Sequence, residues 1–597
     1  MKLLSLLLLL LLTTPCLGKP GPLVVILLPG TSLHDWQIAD APCLHRLMDS
    51  GSLAVMNTRT ARQSGDKRRE SPESALLTLG AGARAASVAT EAIGYRVLSG
   101  NLTEALEKAH VMIRTGGGNN ALLVAASQSR EIQTAASLST LAPGCTIWDA
   151  GSDIRAADTL IGHAARLVDT RNGRLIVLAA FANNADYAVG RRLSPVLEYG
   201  ETVPAGLLVS ASTRRPGLVT NTDFAPTVAD YFGLSRADFP ARPFGVAWTF
   251  QATHTAAAQT NALAEQAYRQ GRGMRILPYA ALALATWILL ATLLLIRGKL
   301  PAWAPAIPIT ATLALLLARS AAEACAYFLL LTLLGFGVAA RCGWRLVPSI
   351  PASGIIFVLV VTLAMGGSLM HSSLLGYSAV EGARYYGIGN EAMGLLVGST
   401  LVVAARLWPL GKYSKACTLA LLIGVTILLG LPQAGAKAGG LLVASSAFGI
   451  FLWEKHGAKW SWRTIAIVGM TSIGLLGIVA LGDSFSQQSH QSHMGEAIQR
   501  IRSGGFGEAS GIIARKLAVE GRLAWHSTWA ALLWIGVLSL RQTRPISKAG
   551  FVAVAACFLF NDAGTVAAAL CLVPLWSDAA LQSQKGLGRT YFLPRPF

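Results

Sequence analysis

Long apolar stretches dominate the second half of the chain, and they constrain its fold more than any other feature. Hydrophobic residues make up 53% of the 597 residues and charged residues 14%, against roughly 25% charged in a soluble domain. A helix of ~20 apolar residues crosses a bilayer, so a wholly soluble protein and a disordered one are both excluded. Ten stretches are predicted to be membrane helices: 276–297, 303–319, 321–340, 350–370, 388–407, 416–432, 438–454, 464–482, 526–541 and 549–576, the last with a possible break at 561–564.

The positive charge follows these apolar stretches. The net charge of the chain is +19, but residues 19–275 contribute only +4 and residues 276–597 contribute +14. Lysine and arginine are concentrated in the cytoplasmic loops of membrane proteins. The charge therefore indicates a membrane topology, and we expect no nucleic-acid partner.

Every second loop between the apolar stretches is basic. If residue 276 begins outside the cytoplasm, the loops predicted to lie inside are 297–299, 341–345, 406–415, 455–463 and 541–548. The loops predicted to lie outside then include 371–387, 433–437 and 483–525, the last with two amphipathic segments that fit a membrane surface. The sequence thus predicts a multi-pass cell-membrane protein with an extracytoplasmic N-terminal domain.

Residues 1–20 have the pattern of a secretory signal peptide. Lys2 precedes an unbroken leucine run, Leu6 to Leu12, which is followed by Pro15 and small residues. Cleavage or retention as an anchor are both compatible with this pattern. In either case the following residues are expected to be exported.

Residues 21–270 are predicted to form a mixed α/β domain, and residues 271–597 the all-α membrane domain of about ten helices. Apolar runs at 22–30, 120–127, 174–181 and 205–212 are predicted strands, whereas 73–82 and 158–169 have helical spacing. Strands that alternate with helices predict a largely parallel sheet covered on both faces. Cys43 and Cys145 are the cysteines of this domain, and they could form a disulfide or remain buried thiols.

Four segments of the exported half resemble the alkaline phosphatase superfamily. They are VVILLPG (24–30), SPESALLTLGAG (71–82), RLIVLAAF (174–181) and NTDFAPTVADYFGL (221–234), in the order that the family shows. They correspond to the family's first strand, its nucleophile helix, the strand before its Asp-His metal pair, and its Asp-x-x-Pro-Thr closing helix. The resemblance implies an alkaline-phosphatase-like fold for this half.

The residues that carry the family's chemistry do not match. The family activates a serine or threonine nucleophile with two divalent metals. Pro29 stands in place of the first-strand aspartate, Glu70 in place of the nucleophile with Ser71 one position away, and Ala179-Ala180-Phe181-Ala182 in place of the Asp-His pair. The ligand candidates that remain, at spacings unlike the family's, are Asp35, Asp149, Asp153, Asp158 and His163. We expect a metal-free, inactive relative, a pseudoenzyme; a divalent metal is expected only if the domain is active.

The order of the two halves is similar to the layout of the GPI ethanolamine phosphate transferases, which act on lipid-linked glycans. In the membrane half, polar residues concentrate in segments predicted to face outward, and ionisable groups in apolar surroundings are functional candidates. The candidates for catalysis are Glu381, Arg384, Glu391 and Asp562, and those for substrate binding are Arg384, Tyr385, Asn390, Lys437 and Asn561. The alternative is that these groups pair with one another and only stabilise the bundle.

Four functions therefore compete at this point. The first is an envelope protein that handles a lipid-linked or glycan substrate at the outer face, with membrane lipids, a lipid-linked glycan or other envelope proteins as partners. The others are a metal-dependent phospho-transferase or hydrolase, a transporter or flippase, and a non-enzymatic scaffold. If the protein is an enzyme, a membrane transferase acting at the outer face is expected.

Overall fold

A computed structural model defines the fold and divides the chain into two compact units, with the division between Ala264 and Glu265. The residues that the structure describes are 20–61, 71–86, 91–92, 95–96, 100–125, 133–135, 137, 143–342, 348–457, 461–484, 517–543 and 547–586. The predicted signal sequence, Glu70 and the predicted amphipathic segments up to residue 516 lie outside them. Each unit is described separately below.

The first unit is a mixed α/β structure, as the sequence predicts. Its strands are β1 Leu23–Leu27, β2 Ser52–Asn57, β3 Glu91–Ala92, β4 Tyr95–Arg96, β5 Ile113–Gly117, β6 Gln133–Thr134, β7 Cys145–Asp149, β8 Arg174–Leu178, β9 Leu193–Gly200, β10 Gly206–Val209, β11 Leu218–Thr220 and β12 Thr249–Ala252. Its helices are α1 Leu33–Ile38, α2 Pro42–Ser50, α3 Pro72–Ala81, α4 Asn101–Lys108, α5 Asn119–Ala125, α6 Ile154–Thr170, α7 Asn184–Val189 and α8 Phe224–Tyr231.

The main sheet is largely parallel and has the order β12-β10-β2-β9-β8-β1-β7-β5-β6, with β11 also paired to β2. Strand β1 pairs in parallel with both β7 and β8, and β9 runs antiparallel to β2 and β8. All five residues of β1 are buried. A strand that is covered on both faces needs a continuous apolar run, and the sequence LVVIL supplies it.

The strand predicted at 120–127 is wrong. Residues Asn119–Ala125 form helix α5, and the neighbouring strand is β5, Ile113–Gly117. A short apolar run has the same appearance in a buried strand and in a buried helix segment. Here Ala121, Val124 and Ala125 are buried at helical spacing, while Leu122 stays exposed.

Cys43 and Cys145 are both free thiols. Cys145 begins β7 and is fully buried, and this burial raises the pKa of its thiol to about 12. Cys43 lies in α2, where its sulfur would be 2.5 Å from a Cβ placed on Gly162 of α6. Each cysteine therefore fills a packed position in a different layer of the unit.

The second unit is helical. Its helices, with α9 beginning before the division, are α9 Ala256–Met274, α10 Leu277–Ile296, α11 Ile307–Leu317, α12 Ala321–Cys342, α13 Ser349–Ala364, α14 Asn390–Leu407, α15 Lys412–Gly430, α16 Ala438–Lys455, α17 Trp462–Ser484, α18 Leu517–His526, α19 Thr528–Leu540, α20 Lys548–Phe560 and α21 Gly564–Gly586. Each of the ten predicted apolar stretches is helical, and the last is broken at 561–563 into α20 and α21.

Fewer helices reach membrane-spanning length than the ten predicted. Among the described residues, six are long and apolar enough to cross a membrane, or seven if the bent pair α18–α19 counts as one span. Three more apolar helices, at Ala304–Leu317, Ser349–Ala364 and Lys548–Phe560, are shorter. Hydrophobic runs therefore located the helices correctly but overestimated how many are full spans. These helices identify a multi-pass membrane protein.

Helices α14 and α21 pack side by side at the centre of this unit. A Cβ on Gly394 would lie 2.1 Å from the Ala567 carbonyl oxygen, and one on Gly398 would lie 2.3 Å from that of Cys571. Small residues let helix backbones approach this closely. Since Gly394 faces Ala567 and Gly398 faces Cys571, the two helices run in the same direction, and both begin at the same end of the unit.

The opposite end of the unit gathers loops that the charge pattern places inside. The Arg406 guanidinium pairs with Asp578, and Gln584 Nε2 donates to the Leu300 and Pro301 carbonyls at 3.1 and 3.0 Å. The Glu454 carboxylate accepts the Lys548 N–H at 2.8 Å. Loops that follow different helices thus meet at one end of the unit.

Candidate functional site

The predicted polar residues of the membrane half come from three segments, and the structure brings most of them together where α14 and α16 begin. Lys437 precedes α16, and its Nζ donates to Asn390 Oδ1 at the first residue of α14. The Lys437 side chain is buried, with 7% of the residue exposed. A buried ammonium requires compensating partners, and Asn390 supplies one of them.

Backbone contacts fix the two loops that carry these residues. The Ile388 N–H donates to the Gly435 carbonyl at 3.0 Å. Arg384 Nη1 donates to the carbonyls of Tyr386 at 3.2 Å and Ala436 at 3.3 Å. One arginine therefore joins the loop before α14 to the loop before α16.

Gly387 makes this junction possible. Its φ is +76°, and a Cβ at this position would lie 2.3 Å from the Gly435 carbonyl oxygen. A side chain would thus meet both an unfavourable backbone conformation and a backbone atom of the other loop. The glycine-rich sequence around 387–389 has a structural cause here.

The charged groups act on one another across the site. Glu391, in the first turn of α14, interacts electrostatically with Lys437 and Arg384. Arg384 in turn interacts with Glu391 and Asp562. Two cations and two carboxylates from three chain segments therefore share one electrostatic environment, as the topology predicted.

The break between α20 and α21 forms the third side of the site. Asn561 is buried, and its Nδ2 donates to the Cys557 carbonyl at 2.9 Å. Its Oδ1 has no hydrogen-bond partner among the described residues and would lie 2.7 Å from a Cβ on Gly439 of α16. Asp562 is exposed, so the break presents a carboxylate at the surface and an amide beneath it.

Two other candidates lie in the loop before α14. The Glu381 N–H donates to Ser378 Oγ at 3.2 Å, and the Glu381 side chain is half-buried. Tyr385 is buried and directly follows Arg384. Their positions add a carboxylate and a phenol to the same loop.

Glu520 is a buried charged residue beside the candidate site that the sequence reasoning missed. Its buried carboxylate accepts the N–H groups of Gly564 at 2.8 Å and Thr565 at 2.6 Å, and the Thr565 hydroxyl. A carboxylate at a helix N-terminus satisfies free amides and complements the helix dipole. A lone glutamate 44 residues before the helix that it caps leaves no local sequence pattern, which is why it escaped notice.

In the first unit, each carboxylate considered as a metal ligand has a structural role. Asp149 accepts from Asn120 Nδ2 at 2.9 Å and from the Gly151 N–H at 3.1 Å. Asp158 accepts the N–H groups of Cys43 and Leu44. Asp35 closes a capping box with Ser32, and Asp153 caps α6. His163 is exposed on α6. Among the described residues no group of three His, Cys, Asp or Glu side chains could hold a metal.

The positions that correspond to the family's nucleophile and first-strand ligand are also placed. Ser71 caps α3: its hydroxyl accepts the Ser74 N–H at 3.1 Å and donates to Ser74 Oγ at 2.7 Å. Pro29 follows β1, and Ala179 and Ala180 are buried after β8. Asp223, in the Asp-x-x-Pro-Thr segment, closes a capping box with Thr220.

Comparison with known proteins adds little to this picture. No family model matches the chain, and no curated protein matches it. One similar solved structure is that of a protein in the alkaline phosphatase superfamily from Vibrio parahaemolyticus. The match covers 36% of this chain and 67% of the Vibrio chain, with 12% sequence identity and a TM-score of 0.26. At that TM-score the likeness assigns neither a fold family nor an activity.

Proposed function

We propose that the chain is a cell-envelope membrane protein that binds a phosphate-bearing, lipid-linked substrate at the end of the helical unit where α14 and α16 begin. In this proposal the polar site faces the outer leaflet and the α/β unit is extracytoplasmic. The observation that carries it is the pair of hydrogen bonds from Lys437 to Asn390 and from Arg384 to the Ala436 carbonyl. Together they hold two cations close to the starts of α14 and α16.

The arrangement suits an anionic group. Arg384 uses Nη1 for the loop carbonyls, and its Nε and Nη2 donate to no described residue. A guanidinium edge of this kind can hold two oxygens of one phosphate. Helices α14 and α16 also begin here, and helix N-termini favour negative charge.

The carboxylates limit which anions fit. Glu391 lies in the field of both cations, so the site is not a simple cationic patch that would bind any polyanion. A substrate with a hydroxyl beside its phosphate could use Glu391 as a hydrogen-bond acceptor or base. A lipid-linked glycan has this chemistry, which supports that class of substrate.

The experiment is native mass spectrometry of the full chain purified from its membrane. Arg384→Gln and Glu391→Gln should lose a co-purifying phosphate-bearing lipid and the protein's activity in cells, while the amount of protein in the membrane stays normal. Lys412→Gln removes the same charge at the other end of the unit and should retain both. If the two site variants instead disappear from the membrane, the cluster is structural and the proposal fails.

We further propose that the α/β unit is catalytically inactive and binds substrate or a partner. The support is chemical: Pro29 and Ala179 cannot ligate a metal, and Asp149 and Asp158 already accept backbone or amide hydrogens. Elemental analysis of the purified chain should find no stoichiometric zinc or manganese. Bound metal together with phosphatase turnover that Ser71→Ala removes would instead establish the metal-dependent phospho-transferase.

A further inference from the structure

Helix α18 departs sharply from the direction of the helix that follows it. The axes of α18, Leu517–His526, and α19, Thr528–Leu540, differ by 75°. The 13 residues of α19 extend about 20 Å at 1.5 Å per residue. If α19 follows the membrane normal, α18 lies close to the membrane plane.

The bend is built from specific hydrogen bonds. Ser527 Oγ donates to the Leu523 carbonyl at the end of α18 and accepts the Ala530 N–H at 3.2 Å at the start of α19. Trp534 Nε1 of α19 donates to the Ala524 carbonyl at 3.0 Å. One serine therefore ends one helix and caps the next, and an indole braces the corner.

The inner face of α18 is fixed to the start of α21. Glu520 caps Gly564 and Thr565, and Ala524, one turn later, is also buried. These contacts place α18 at the level where α21 begins, beside the break that carries Asp562. This level is the end of a membrane-spanning helix, where the headgroup region is expected.

The outer face of α18 carries residues typical of a membrane interface. Trp525 is 79% exposed, and Arg522 and His526 are exposed beside it. Arg522 makes no ion pair or hydrogen bond with any described residue. Tryptophan is enriched at the headgroup level, and a free guanidinium at that level pairs with lipid phosphate.

We infer that α18 is an interfacial helix that binds the phosphate headgroups of anionic lipids through Arg522 and Trp525. This surface is separate from the Arg384–Lys437 site, and its occupant is a bilayer lipid rather than the substrate. Through Glu520, the anchored helix also holds the first turn of α21 in place. The protein thus has a headgroup contact next to its proposed substrate site.

The first test measures the depth of Trp525. The full chain is reconstituted in vesicles of phosphatidylcholine and phosphatidylglycerol brominated at positions 6,7 or 11,12, and the fluorescence of Trp525→Phe is subtracted from that of the wild type. The Trp525 component should be quenched more by the shallow bromines than by the deep ones. Quenching by aqueous acrylamide with none by either bromolipid would overturn the inference.

The second test measures headgroup binding. Native mass spectrometry from vesicles that contain phosphatidylglycerol should show fewer retained phosphatidylglycerol molecules for Arg522→Gln than for the wild type. Arg155→Gln, an exposed arginine on α6 of the α/β unit, is the control and should retain the wild-type number. Equal retention by Arg522→Gln and the wild type would contradict a headgroup contact at α18, whatever the Arg384 variants show.

Discussion

Asp223 is a residue whose surroundings accept only a carboxylate. It is fully buried, and it accepts hydrogen bonds from Ser212 Oγ at 2.6 Å, the Thr220 N–H at 2.8 Å and the Val246 N–H at 3.0 Å. Burial raises the pKa of this carboxyl, and the hydrogen bonds oppose the rise. In an asparagine, the side-chain NH2 group would replace one of these oxygens, and it would then face a backbone N–H donor instead of accepting from it.

We therefore expect Asp223→Asn to lower the free energy of unfolding of the first unit by about 1–3 kcal/mol, the cost of leaving a buried polar group unsatisfied. Pulse proteolysis of the full chain in urea measures this change. Asp40→Asn is the control, because Asp40 is exposed, and it should change stability by less than about 0.5 kcal/mol. Equal effects of the two variants would contradict the assigned role of Asp223.

Glu198 gives a pH-dependent prediction. Burial raises the pKa of this carboxyl, although Arg174 Nη1 lies 3.0 Å from its Oε1 and Trp248 donates to its Oε2. A raised folded-state pKa stabilises the fold below the unfolded value of about 4.3, and this contribution is lost as pH rises through the folded pKa. The stability advantage of the wild type over Glu198→Gln should therefore shrink between about pH 4 and about pH 7. Denaturant midpoints at both pH values measure it, and an advantage that grows with pH would reverse the assignment.

At the scale of elements, the loop junction at Gly387 is the most sensitive point of the site. Gly387→Ala combines a positive φ with a contact on the Gly435 carbonyl, whereas Gly366→Ala has a φ of +83° and nothing within 4 Å. The left-handed conformation alone costs roughly 1–2 kcal/mol. Gly366→Ala measures this backbone cost by itself, because its Cβ meets no neighbouring atom. Gly387→Ala should be less stable by a further ~1 kcal/mol or more, because a backbone atom must move, and it should lose the co-purifying lipid. Thermal unfolding and lipid content of both variants test this, and indistinguishable variants would mean that the junction is flexible.

The sequence predicted elements well where the hydrophobic period was long and unambiguous. The segment 158–169 is part of α6, because an amphipathic pattern over three turns is specific to a helix. The run at 22–30 contains β1, because it is rich in β-branched residues (Val24, Val25 and Ile26) and is bounded by Pro and Gly. The run at 120–127 was ambiguous, since seven helical residues and a buried strand look alike. The stretch predicted at 526–541 corresponds to α19, whereas α18 lies in the segment predicted as the loop 483–525. Hydropathy alone could not show that Ser527 ends α18 and caps α19.

At the scale of the whole molecule, the residues of the candidate site could be predicted from the sequence, but the contacts between them could not. The alternation of basic loops identified which segments share an end, and Arg384, Glu391 and Lys437 do interact. The sequence could not show that Lys437 bonds Asn390, because that contact depends on how loops 431–437 and 366–389 cross. Glu520 was out of reach for a similar reason: its partners are amides of a distant helix, and amides carry no sequence signature.

The orientation of the bundle decides which leaflet supplies the substrate. Lys412 and Gln433 are exposed and lie on either side of α15, so they report on opposite faces. In a background with the exposed cysteines Cys325 and Cys417 changed to serine, Gln433→Cys should react with a membrane-impermeant maleimide in intact cells. Lys412→Cys should react only after the membrane is opened, because its loop carries the arginine and lysine residues that remain in the cytoplasm. The background without an added cysteine controls for the buried thiols. The reverse labelling pattern would place Arg384 and Lys437 on the cytoplasmic face, and the proposed phosphate-bearing substrate would then have to come from the inner leaflet.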